Sequence, residues 1–164
     1  MTLDEIAATR LYWEDLPPGV RFVTGGRTIT EADVVGFAGL TSDFNRIHVD
    51  SEFAQHGPFG QRIAHGLLVA SISVGLATRS LVHQFMEHTQ IAVVENTLKF
   101  IKPALIGDTV RVEVEVEAQR PTRNPARGVT IFRRITKNQN DEALIDARVV
   151  YLMYTRTNSE ESAQ

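Results

Sequence analysis

The chain is predicted to be an α+β domain in which one long central helix is wrapped by an antiparallel sheet. Two patterns predict this. From Gly66 to about Val82, Leu67, Leu68, Val69, Ala70, Ile72, Val74, Leu76, Ala77 and Leu81 surround the helical axis, so this helix wants cover on every side. At ~1.5 Å per residue it would run ~25 Å, about the width of a small domain. Beyond it the period drops to two. Val110, Val112, Val114 and Val116 alternate with Arg111, Glu113, Glu115 and Glu117, which is the signature of a half-buried strand.

The remaining elements fit around these two. Residues 1–11 read as an N-terminal arm, 12–156 as the single domain, and 157–164 as a polar, flexible tail. Pro17-Pro18-Gly19 turns into a short extended segment near Val20 to Val23. Thr30 is placed to cap a helix with Asp33 at its third position, and Val34, Val35, Phe37, Ala38 and Leu40 give that helix an apolar side. Ser51 is expected to cap a brief helical piece with Phe53 and Ala54 inward, broken by Gly57-Pro58-Phe59-Gly60. Val94 to Lys102, Val129 to Lys137 and Ala143 to Thr155 are further strands. Pro103 to Asp108, Pro121 to Gly128 and Asn138 to Glu142 are read as hairpin connections. One helix cannot cover both faces of such a sheet, and its edges need protection, so a homodimer or higher homo-oligomer is expected.

Composition narrows the function. With 164 residues there is room for one domain with a real core. Seventeen basic against 20 acidic side chains, a net charge of −3, and no basic block make nucleic acid a poor partner. Cys is absent, which excludes disulfides and thiolate catalysis and agrees with a reducing, cytoplasmic setting. The acidic start Met1-Thr2-Leu3-Asp4-Glu5 lacks the pattern of a secretory leader, and no apolar run is long enough for a membrane span.

The chemistry-bearing stretch is Thr41-Ser42-Asp43-Phe44-Asn45-Arg46-Ile47-His48, followed by Arg62-Ile63-Ala64-His65-Gly66 at the head of the central helix. A carboxylate and an imidazole five positions apart, in what reads as a non-helical connection, form an acid/base pair. Free amides at the start of a helix can hold a developing oxyanion. That combination is what adding water across a polarised double bond requires.

From Gly39 to His48, from Arg62 to Leu68, and through Asn96-Thr97-Leu98-Lys99-Phe100-Ile101-Lys102-Pro103 with Gly107-Asp108-Thr109, the chain resembles the MaoC-like hydratase/dehydratase family over residues 12–155. The resemblance implies a hot-dog fold and reversible hydration of trans-2-enoyl-CoA to an (R)-3-hydroxyacyl-CoA, on a coenzyme A or acyl-carrier-protein thioester. It implies catalysis by Asp43 and His48 with the Gly66 amide on the thioester oxygen. Ser42 and Arg46 depart from the family's usual Gly and Pro, and Glu95 has no assigned role. No cofactor and no metal are expected, because the thioester already polarises the alkene.

Asn45, Leu67, Ser71 and Arg123 are the further candidates for substrate contact. Asn45 could hold water or His48, or shape the loop as an Asx turn. Leu67 and Ser71 face an acyl group along the helix, and Arg123, in the Pro121 to Gly128 loop, is the basic residue offered to coenzyme A phosphates. Arg62, Arg120, Arg127 and Lys102 could also meet those phosphates, Arg127 from the same loop, although scattered basic residues are more often a solvated face. His65 is read as packing beneath the loop against a backbone carbonyl, and His56, His83 and His88 as surface or packing residues. A hot-dog thioesterase and a non-catalytic acyl-thioester-binding dimer are the competing functions.

Overall fold

The computed structural model describes residues 2–156, so the expected tail at 157–164 lies outside the described residues. Its elements are α1 (Leu3–Ala8), a 3-10 turn at Trp13–Asp15, β1 (Arg21–Val23), β2 (Arg27–Thr28) and α2 (Glu31–Thr41). They continue with α3 (Arg46–Val49), α4 (Ser51–Gln55), α5 (Gly66–Thr78), α6 (Leu81–Met86), β3 (Gln90–Phe100), β4 (Thr109–Pro121), β5 (Arg127–Lys137) and β6 (Ala143–Tyr154). Strands run antiparallel in the order β1-β4-β5-β6-β3, and β2 pairs separately with β4. The sheet wraps α5 in the manner of a hot-dog fold.

The alternation in β4 is realised as predicted. Val110, Val112, Val114 and Val116 are at most 2% exposed, and the charged residues between them face outward. In β6 the residues Ile145, Ala147, Val149, Tyr151 and Met153 complete the same inner face. Onto it α5 lays Leu68, Val69, Ile72 and Leu76. Ser73 and Thr136 share a buried 2.8 Å hydroxyl–hydroxyl hydrogen bond, which fixes the helix against β5. The Trp13 indole donates to the Val129 carbonyl at 3.1 Å and packs on Gly128, where a Cβ would stand 2.4 Å from the ring. Glu95 sits on the outer face, accepting from the Thr97 hydroxyl.

Several expectations are corrected. The central helix stops at Thr78 instead of about Val82, because Ser80 accepts from the His83 N–H and caps a new helix. Leu81 is therefore 66% exposed on α6 and takes no part in the central helix. Along α5, Leu67, Ser71, Val74, Gly75 and Thr78 form an uncovered stripe. Asp50, not Ser51, caps α4, and Phe53 turns outward beneath the Arg46 guanidinium, 4.4 Å from the ring centroid. In α2 the capping box of Thr30 and Asp33 is complete, but Val35 and Leu40 point to solvent. Pro103 to Asp108 is no hairpin: β3 pairs with β6, so this segment crosses to β4 and bridges Leu105 to Ile63 beside the head of α5. That crossing frames the site.

Candidate active site

Three short segments meet at the head of α5. The first leaves α2 through Ser42, which adopts the left-handed conformation (φ 63°) and ends that helix. A side chain there costs about 1 kcal/mol relative to Gly, which explains why Gly suits this position. The turn delivers Asp43 to an exposed loop, where one carboxylate oxygen accepts from the Asn45 N–H at 3.3 Å. Asn45 in turn caps α3, its side-chain oxygen accepting from the Ile47 N–H. His48 thus lies in a one-turn helix, whereas the sequence reading placed it in a non-helical connection. Arg46, in place of a Pro, is tied to Asp50 by an Nε–H donated at 2.9 Å and rests on Phe53.

The second segment orients the imidazoles. His48 Nδ1 lies 2.8 Å from the Ile63 carbonyl oxygen. A carbonyl only accepts, so Nδ1–H donates to it, which leaves Nε2 as the nitrogen that can exchange a proton. His65 is 2% exposed, with Nε2 3.0 Å from the backbone oxygen of Asp43. By the same logic Nε2–H donates to that oxygen, and Nδ1 is buried with no hydrogen-bond partner among the described residues. The two imidazole rings stack at 3.8 Å between centroids, with Phe37 5.0 Å from His65 on its other contact. His65 meets a backbone carbonyl as its sequence reading expects, but that carbonyl belongs to Asp43 and the ring supports His48. Spacing alone carried no signal for the stacking.

The third segment is the head of α5. Gly66 is its first residue, so its N–H has no acceptor inside the helix. A Cβ on Gly66 would come within 2.8 Å of the Phe100 ring, so glycine lets β3 close over this amide. Asp43, His48, His65, Gly66, Leu67 and Phe100 line one cavity of about 690 Å³ whose other walls are mainly apolar. That volume accommodates a small-molecule ligand.

Placement of the remaining candidates differs. Leu67 lines the cavity; Asn45 and Ser71 do not, and the Ser71 hydroxyl donates to the Leu67 carbonyl. Arg123 lies in the β4–β5 connection, at the opposite end of β5 from Lys137, and stands away from this cavity within the chain. Arg62 is held by two hydrogen bonds to Glu31, at 2.8 and 2.6 Å, and this pairing keeps the Glu31 carboxyl below its usual range. Lys102 reaches the cavity but pairs with Glu142. One ligand atom each of Asp43, His48 and His65 lies within 4.8 Å of the others, a spacing a metal ion could bridge. Two of the four imidazole nitrogens there are already committed to carbonyls, which leaves His48 Nε2, His65 Nδ1 and the Asp43 carboxylate. No described helix is long and apolar enough to cross a membrane.

Residues 17–138 match the MaoC like domain. The 3-hydroxybutyryl-CoA dehydratase of Methylorubrum extorquens is 39% identical over 141 residues, 85% of this chain and 82% of that protein. An (R)-specific enoyl-CoA hydratase of Rhodospirillum rubrum is 40% identical over 111 residues, 67% of this chain and 72% of that protein. A solved structure described as a monoamine oxidase regulatory protein from Archaeoglobus fulgius superposes with a TM-score of 0.85 at 32% identity, covering 91% of this chain and 97% of that one. The matched domain takes in Asp43, His48 and Gly66, and the chain belongs to the MaoC-like dehydratase/hydratase family.

Proposed function

We propose that this protein reversibly hydrates trans-2-enoyl-CoA to (R)-3-hydroxyacyl-CoA. The observation that carries the reading is a shared cavity in which the Asp43 carboxylate and His48 Nε2 lie beside the free Gly66 amide. Water held between Asp43 and His48 gives up a proton to this pair while its oxygen bonds to C3. The alkene electrons move toward the thioester, whose oxygen gains enolate character against Gly66 N–H. The pair returns one proton to C2, so the sum is addition of water with no electron left over. Dehydration uses the same groups in reverse. The stereochemical outcome rests on the likeness to the (R)-specific hydratase.

The acting unit is a homodimer in the cytoplasm. β3 is an edge strand with Val93 and Val94 48% and 57% exposed, and the uncovered stripe of α5 lies on the concave side of the same sheet. A second copy pairing along β3 would remove this edge, as exposed edges require. Antiparallel pairing there would also swing the other copy's β4–β5 loop toward this end of the sheet. Arg123 can meet nucleotide phosphates only in that arrangement.

Loss of enoyl absorbance on crotonyl-CoA, with chiral analysis of the product and a free-thiol assay run alongside, tests the reading. Formation of (R)-3-hydroxybutyryl-CoA without thiol release supports it. Release of coenzyme A in step with absorbance loss identifies a thioesterase instead.

A further inference from the structure

Behind the catalytic cavity lies a second, much smaller one. The two share Ile145, and their walls continue along the same elements: Val69 to Ala70 on α5, and Phe100 to Leu98 on the inner face of β3. The small cavity thus lies on the path an acyl chain takes when it leaves Gly66 and runs along α5. Its water-accessible space is about 10 Å³, room for a single water molecule.

A guanidinium lines it. Arg134 sits on the inner face of β5, opposite Ala147, and is only 4% exposed. One Nη2–H donates to the Tyr151 hydroxyl at 2.7 Å, and the guanidinium carbon lies 5.4 Å from that ring's centroid. Nε and Nη1 have no partner among the described residues. Burial, and then the charge of Arg134, hold the neighbouring His83 below its ordinary pKa, with Glu87 opposing. The elements that wall this cavity bring no carboxylate to Arg134. The α5 helix contains no acidic residue, Asn96, Leu98 and Phe100 of β3 pair with the inner-face residues Val149, Ala147 and Ile145, and Glu95 points outward.

We propose that Arg134 closes the acyl end of the site and restricts the enzyme to short-chain enoyl thioesters. The proposal rests on the hydratase reading and adds a substrate class to it. A short acyl group ends in the apolar space before Ile145 and leaves the one-water space beside the guanidinium open to hydration. A longer chain has to push methylenes into a one-water cavity and strip hydration from two buried charged donors, which are costly to leave unmet. An apolar residue at this position would instead extend the channel.

The test compares kcat/KM for crotonyl-CoA and trans-2-octenoyl-CoA in wild type, Arg134→Met and Ile145→Ala, with a thermal melt of each. Wild type should prefer the crotonyl ester by ~10-fold or more, the discrimination a stranded polar group gives. Arg134→Met should raise the octenoyl-to-crotonyl ratio by a similar factor, a gain that general loosening of the fold does not produce. Ile145→Ala joins the two cavities but keeps the guanidinium, so its ratio should stay within about threefold of wild type. Equal wild-type efficiency on both esters overturns the proposal, as does an unchanged ratio in folded Arg134→Met. If Arg134→Met does not fold, Ile145→Ala decides: admission of octenoyl-CoA makes Ile145 the stop and overturns the role of Arg134. Turnover of neither ester sinks the hydratase reading together with this one, whereas equal turnover of both sinks this one alone.

Discussion

Replacing His65 with Leu should separate folding from chemistry. The imidazole donates one hydrogen bond, at 3.0 Å, to the Asp43 carbonyl, and its other nitrogen is buried without a partner among the described residues. Losing the bond costs about 1 kcal/mol, since the exposed Asp43 loop can take water in exchange. Removing an unmet buried acceptor returns a similar amount, so the net change in stability should stay within ~1 kcal/mol. Catalysis has no such compensation. The Asp43 loop loses its tether, and His48 loses the ring stacked 3.8 Å away. A displacement of about 1 Å at a reacting group is enough to cost ~100-fold. Turnover of crotonyl-CoA should therefore fall ~10- to 100-fold with little change in KM, because the affected groups act on the reacting carbons more than on binding. His65→Gln keeps an N–H donor for the Asp43 carbonyl and should recover part of the loss. Wild-type kcat in folded His65→Leu would refute the reasoning and return His65 to simple packing.

Other consequences can be measured without substrate. The pKa of His83 is lowered, chiefly by burial, so folding favours its neutral form. Its contribution is fully present above the ordinary value of 6.5 and is lost as pH falls through the lower folded value. His83→Gln should accordingly flatten the fall in melting temperature below about pH 6.5, and an unchanged slope would contradict this. Gly128→Ala would drive a methyl into the Trp13 ring, 2.4 Å from the Cβ position, and should destabilise the fold by ~1–3 kcal/mol in urea unfolding. A wild-type midpoint would show that the Trp13 strap is not packed there. Light scattering at micromolar concentration should give the mass of two chains, and a single-chain mass would leave β3 without its proposed cover.

Much of this fold is legible because its patterns are periodic. The β4 valines report their own burial, and the apolar wrap of residues 66–77 announces a central helix. Its end was less legible, since apolar residues run on past Thr78 and only Ser80, as a cap, marks the break. Strand order was hidden, because a short loop after β3 looks like a hairpin although β3 finds its partner in β6. At the site, Asp43, His48 and Gly66 are named by spacing and resemblance. The stacking of His65 on His48 and the guanidinium of Arg134 under α5 depend on long-range packing, for which local sequence carries no period. Arg123 lies at the far end of β5 from the cavity within one chain, so its proposed contact with nucleotide phosphates depends on a second copy, whose position no local pattern encodes.

The most direct measurement is the turnover of crotonyl-CoA by Asp43→Asn and His48→Gln, made in the presence of a chelator and with folding checked by thermal melt. Each variant should lose ~100-fold or more in kcat, the scale of general acid–base catalysis, while wild type keeps full activity in the chelator. Near-wild-type hydration by both folded variants would contradict the assignment of the site, and loss of wild-type activity to the chelator would make Asp43, His48 and His65 metal ligands instead.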